Sequence, residues 1–220
     1  MNLQENISML KPINTTRHKP IRIMSFGVVL AAIFLFCAPP AAGASDIELG
    51  LHFGYRQLKD AKLKDIYGSD MVFRPQVRYF FSRNFGLEVA YEGGYKKDGS
   101  VGLYNENSTL TMNAVEAAFV LRMEKSGWVP FIKGGMGFYG YKQDIDSNFT
   151  RRTVDHHTTA PFFGAGLDVA LISGLFLSGT VHYVLLKVKP FDIEVDLGGL
   201  RILLGLRFRL PSSIINSTSH

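Results

Sequence analysis

From Ile47 onward the sequence keeps a period of two. Ile47, Leu49, Leu51, Phe53 and Tyr55 are apolar, while Glu48, Gly50, His52, Gly54 and Arg56 between them are polar or small. Successive side chains of a strand point to opposite faces, so this alternation describes a strand with one apolar and one polar face. The pattern returns with Phe73, Val77, Tyr79 and Phe81 against Arg74, Gln76 and Arg78, then with Phe85, Leu87, Val89 and Tyr91 against Gly86, Glu88, Ala90 and Glu92. Val115, Ala117, Phe119, Leu121 and Met123 form a fourth apolar row, and Leu200, Ile202, Leu204, Leu206 and Phe208 the last. Residues 129–141, 159–171 and 175–186 complete eight segments of about ten residues or more, the length at which a tilted strand crosses a bilayer. In 129–141 the facing stays open, because Lys133 and four glycines blur it. Residues 169–186 carry no formal charge, but Ser173-Gly174 and Ser178-Gly179-Thr180 make them a poor helix and a natural turn followed by a strand.

The connections decide how such strands are arranged. Those at 82–84, 124–127 and 172–174 are short, and those at 57–70, 96–108, 142–158 and 187–198 are long and polar. Short turns on one side, long loops on the other and an even strand count give an all-β, eight-stranded antiparallel up-and-down transmembrane β-barrel over residues 45–210. A soluble lipocalin-like barrel has the same periodicity with its apolar row inside. Two features favour the membrane. The apolar row is uniformly large, while the polar row mixes glycine, alanine and charges of both signs, as a narrow interior requires. Aromatics also gather where interfaces would lie: Tyr55, Tyr91, Tyr95, Tyr139 and Tyr141 toward the long loops, and Phe81, Phe85, Trp128 and Phe131 toward the short turns.

Residues 1–44 read as a cleavable signal peptide. Arg17, His18, Lys19 and Arg22 precede an uncharged run from Ile23 to Ala38, and Ala42-Gly43-Ala44 follows Pro39-Pro40, which places the cut after Ala44. The lead from Met1 to Asn14 is polar, so Met9 is an alternative start. The only cysteine, Cys37, lies in this segment, which excludes disulfide, thiol and thiolate-metal chemistry from the mature chain. The 24 Lys/Arg and 19 Asp/Glu of the whole chain fall to 20 and 18 once Lys11, Arg17, Lys19, Arg22 and Glu5 leave with it. A net charge so close to zero gives no nucleic-acid-binding field.

The signal, the eight alternating segments, the glycine-rich Lys133–Tyr139 and Phe162–Leu167 stretches and the closing Leu204-Gly205-Leu206-Arg207-Phe208 resemble the small OmpA-like and opacity-protein-like outer-membrane barrels. The resemblance covers the whole mature chain. It implies the cell outer membrane of a Gram-negative-type envelope, contact with its lipid and lipopolysaccharide, and assembly by machinery that reads a terminal aromatic. Phe208 is the matching residue, although Arg209 and a polar tail at 211–220 follow it.

An Arg or Lys at mid-membrane on the lipid face costs about 2–4 kcal/mol, so Arg74, Arg78, Arg122, Arg201 and Arg207 must face inward. A turn at Ser82-Arg83-Asn84 sets Arg78 opposite Glu88 and Arg74 opposite Glu92; the turn at 172–174 sets Asp168 opposite Ser178 and Gly164 opposite His182. With Glu48, Glu116, Arg122 and Arg207 also inside, the expectation is an ion-paired, plugged lumen.

Chemistry motifs are weak. Gly135-x-Gly137-x-x-Gly140 matches a dinucleotide fingerprint but leads into a polar loop where a helix is needed. Asp144-x-Asp146-x-Asn148 mimics a calcium loop, yet Phe149 replaces the required glycine and Arg151 and Arg152 oppose a cation. His156-His157 reads as polar surface. Some barrels of this membrane resemble lipid A-modifying enzymes, but His182 and Ser178 are four residues apart along a strand, about 13 Å, and His182-Tyr183-Val184 lacks the deacylase-like pattern. No catalysis, cofactor or metal is therefore expected. The loops offer Lys59, Lys62, Lys64, Lys96, Lys97, Arg151, Arg152, Lys187 and Lys189 to lipopolysaccharide phosphates. Tyr67, Tyr104, Phe149 and Phe191 beside them are offered to a surface partner. The functional expectation is an envelope-integrity or adhesin-like recognition role, with an OmpW-like narrow path for small apolar molecules as the alternative.

Overall fold

The computed structural model describes residues 46–101, 106–125, 127–146, 151–188 and 195–210. The signal-peptide and C-terminal-tail assignments, and Tyr104, Phe149, Lys189 and Phe191, lie outside the described residues. The chain runs β1 Asp46–Leu58, α1 Ala61–Tyr67, β2 Asp70–Phe80, β3 Phe85–Val101, β4 Glu106–Arg122, β5 Trp128–Asp146, β6 Arg151–Ile172, β7 Leu175–Val184, a short pair β8 Lys187–Val188 and β9 Val195–Asp196, and β10 Gly199–Leu210. Eight of these strands, β1 to β7 and β10, close into an antiparallel barrel, with β10 paired to β1 from Ile47↔Leu210 to Leu58↔Gly199. Closure removes every sheet edge from the hydrocarbon layer, where an unpaired backbone group would cost several kcal/mol.

The period-two rows sort as the alternation predicts. Leu51, Phe53, Ile132, Ile202 and Leu204 are exposed, and Phe119 is 72% exposed, forming an apolar belt that only lipid can cover. Both tight-turn registers hold: Arg78 pairs with Glu88, Asp168 with Ser178 and Gly164 with His182. Residues 169–186 fold as strand, turn and strand, with Gly174 at φ 80° in the turn. Among the described residues no helix is long and apolar enough to cross a membrane.

Two expectations are corrected. The segments 96–108 and 142–158 are mostly strand, since β3 and β4 pair out to Val101↔Glu106 and β5 and β6 out to Asp146↔Arg151. Above the membrane neither face need be apolar, so alternation fades while pairing continues. Cross-strand hydrogen bonds from Thr109 to Asp98 (2.6 Å) and from Thr153 to Asp144 (2.7 Å) now support it. The second correction concerns the aromatics. Tyr55, Tyr91 and Trp128 face outward, but Tyr95, Tyr139, Tyr141 and Phe131 are buried in the lumen. Tyr95 is turned inward by a bulge between Glu92 and Tyr95, where Gly94 sits at φ 94° and adds one residue to the count. Phe131, Tyr139 and Tyr141 share strand parity with Lys133, whose ammonium is held inside by Glu88.

The first long connection, expected as a polar loop, holds the helix α1. The Asp60 carboxylate accepts the Leu63 N–H (3.2 Å), and Gly68, at φ 69°, donates back to the Lys64 carbonyl (2.8 Å), so both ends are capped. Its apolar side places Leu63, Ile66 and Tyr67 over the mouth of the barrel. Tyr67 is thus buried, not offered to a surface partner.

Candidate functional site

The lumen is filled in three layers. At the short-turn end Arg122 donates to Glu48 (2.6 Å) and Asp46 (2.7 Å) and lies over the Phe80 ring, while Arg209 bridges Glu48 and Glu124. In the middle, Glu88 accepts from Arg74 (3.0 Å), Arg78 (2.7 Å) and Lys133 (2.6 Å). Asp168 pairs with Arg207, and Glu116 takes Arg74 and the Tyr139 hydroxyl (2.6 Å). Glu92 meets Arg201 (2.9 Å) and Arg56 (3.3 Å), and its separation from Arg74 is 3.9 Å. At the long-loop end the filling turns apolar: Leu58, Tyr95, Met112, Tyr141, Leu186 and Leu197 form one cluster beneath α1. Ion pairs this far from water persist only when their geometry repays desolvation, which shared carboxylates achieve here by each serving two or three cations.

The deep charges do not balance. Among the described residues, Arg56, Arg74, Arg78, Arg122, Lys133, Arg201 and Arg207 are buried against Glu48, Glu88, Glu92, Glu116 and Asp168, seven cations to five carboxylates. Glu92, Glu116 and His182 approach closely enough to suggest a metal cluster. Arg74, Arg201 and Arg56 already neutralise these two carboxylates, so a further cation there would be repelled. His182 lies against Phe162 (4.7 Å between rings) and 3.6 Å from Glu116, while the Ser178 hydroxyl has no hydrogen-bond partner. That arrangement holds no nucleophile against a base.

This filling predicts a silent barrel. The intact protein in a planar bilayer is expected to pass no steady single-channel current. Tyr67→Ala, which trims the apolar cap alone, should stay silent because two charged layers remain beneath it. A stable conductance from the intact protein would contradict the sealed lumen.

Above the membrane β3 to β6 continue as a four-stranded sheet. Some predicted lipopolysaccharide-facing cations are already paired, Lys59 with Asp196 (3.0 Å) and Lys97 with Asp70 (3.7 Å). The hydrogen bond to Asp196 holds the Lys59 ammonium above its ordinary pKa. Phe208 stands half-exposed on β10, between Leu49 of β1 and Leu175 of β7.

An apolar belt of lipid-crossing strands closed around an ion-paired interior defines an outer-membrane barrel. The chain belongs to the outer membrane protein beta-barrel domain family, whose model matches residues 28–208, and its place is the outer membrane. No curated protein matches it. Among solved structures it is similar to the outer membrane protein OprG of Pseudomonas aeruginosa. There the TM-score is 0.62 at 14% identity, over 79% of this chain and 99% of that one. It is also similar to the N-terminal β-barrel domain of OprF from the same organism, with a TM-score of 0.51 at 15% identity over 75% and 97%. Likeness at such identities speaks to the fold.

Proposed function

We propose that the barrel is a sealed anchor and that its function is surface recognition, with the free edge of β6 taking an extended polypeptide as an added strand. The observation that carries this reading is the mismatch between β6 and β7. β7 ends at Val184 opposite Phe162, whereas β6 reaches back to Arg151. Residues 151–160 therefore pair with β5 on one side and, among the described residues, have no strand partner on the other. The opposite edge of the same sheet is treated differently: α1 lies so close over β3 that a Cβ at Gly99 would meet Ile66 at 2.7 Å. An edge left open beside one that is covered is a template for strand addition. Thr153, Asp155, His157 and Thr159 are exposed along it and would set the choice of partner. The filled lumen argues against a small-molecule path, and the buried Ser178 and His182 against an enzyme.

Consecutive residues of an antiparallel strand direct their N–H groups to opposite edges. Of His156→Pro and His157→Pro, one therefore breaks the β5 ladder and the other removes only a free-edge donor. Linear peptides selected from a displayed library on the folded barrel should lose binding to the ladder-sparing variant, which should keep the heat-dependent gel shift of a folded barrel. Undiminished peptide binding by that variant refutes edge recognition. If, in addition, only the detergent resistance of cells depends on the protein, the envelope-structural role stands instead.

A further inference from the structure

We propose that the middle of the lumen is a binding site for a small monovalent anion of halide size, held between Arg78 and Arg207 over Gly50. The surplus of buried cations is concentrated there. Asp168 serves both guanidiniums through one oxygen, Oδ2, which is also 3.6 Å from Arg78. The next carboxylate for Arg207, Glu48, lies 3.9 Å away and is already engaged by Arg122 and Arg209. Glu88, on the other side of Arg78, is divided among three cations. Four buried donor nitrogens of the residues around it have no hydrogen-bond partner: Nη2 of Arg78, Nε and Nη2 of Arg207, and Nε2 of Gln76. None of the three residues is more than 5% exposed.

Register brings them together. Gly50 pairs with Gln76 on one side and with Arg207 on the other, and Arg78 follows two residues along the inner face of β2. A Cβ at Gly50 would stand 3.0 Å from Gln76 Cγ, 3.1 Å from Gln76 Nε2 and 3.2 Å from His52 Cε1, so a glycine there is what lets the Gln76 amide and the His52 ring lie over the strand. The His52 imidazole, also unpartnered, adds a donor on the same wall. Asp168 Oδ1 is an unpartnered acceptor nearby, and Ser178, whose hydroxyl is also unpartnered, stands opposite Asp168 in the β6–β7 pair. Water would satisfy these donors but leave the surplus charge in a low-dielectric interior, where an unpaired ion is costly. A monoanion satisfies both.

The test uses the full chain folded into detergent micelles. With chloride and gluconate compared at equal ionic strength, the urea unfolding midpoint should rise with chloride concentration and stay flat with gluconate, because a ligand of the native state stabilises by mass action. Gln76→Leu, which breaks no ion pair, should weaken that chloride dependence, and Arg207→Met should abolish it. Should Arg207→Met fail to fold, crystals soaked in bromide carry the test, with an anomalous peak expected between Arg78 and Arg207. Equal midpoints in the two salts, or bromide crystals without that peak, overturn the proposal.

Discussion

Glu88→Gln will destabilise the barrel more than any removal of a single lumen cation, by about 3–5 kcal/mol, the cost of leaving buried charges unpaired. Glu88 is the one carboxylate shared by Arg74, Arg78 and Lys133, all essentially without solvent contact. The neutral amide keeps the shape and removes the only carboxylate that Lys133 contacts, together with one carboxylate each of Arg74 and Arg78. Lys133→Met acts in the opposite sense. It subtracts one of seven buried cations that face five carboxylates, so repulsion from Arg78 falls as attraction to Glu88 is lost, and the net change should stay within about 1.5 kcal/mol. The double variant should recover a large part of the Glu88→Gln loss. Urea midpoints of the four proteins in one detergent measure this cycle. A Lys133→Met that unfolds as readily as Glu88→Gln would mean that local pairing, not the charge surplus, governs the lumen.

What the sequence disclosed and what it hid divide along one line. Alternation is a local signal, and wherever it ran unbroken, as in Ile47–Tyr55 or Leu200–Phe208, it assigned lipid and lumen faces correctly. Tight turns transmit that information across strands, which is why Arg78↔Glu88 and Asp168↔Ser178 could be placed by counting. The actual partners were harder. Arg74 stands opposite Glu92 by the same count, yet its closest contacts are Glu116 and Glu88, because long guanidinium side chains cross a narrow lumen to strands that register alone does not relate. The edge of β6 that has no strand partner among the described residues was invisible for a different reason. It follows from β7 stopping at Val184, opposite Phe162, a difference in strand length with no residue signature. The cap made by α1 did have a signature, Asp60 before it and Gly68 after it, but seven residues, under two turns, in a long connection carry too little periodicity to be recognised as a helix.

Gly94→Val will disrupt the upper β3–β4 hairpin, whereas deleting Gly94 will largely spare it, although a deletion is ordinarily the harsher change. Glu92 faces the lumen opposite Ala114, and Tyr95 faces it opposite Met112. Three steps separate the two tyrosine-side and glutamate-side positions on β3 and two separate their partners on β4, so one residue is surplus and the bulge absorbs it at φ 94°. A β-branched side chain at that φ is strained by about 1–3 kcal/mol. The strand can escape only by becoming regular, which turns Tyr95 out and Lys96 into the cluster of Leu110, Met112 and Tyr141, at a cost of several kcal/mol for the buried ammonium. Deletion instead removes the surplus residue itself and leaves Glu92 opposite Ala114 and Tyr95 opposite Met112, both facing inward. Trypsin sensitivity at Lys96 and Lys97 distinguishes the outcomes: cleavage should be rapid in Gly94→Val and slow in both the deletion and the parent protein. A deletion cut as fast as the valine variant would show that the bulge is needed for its bend and not for the phase it corrects.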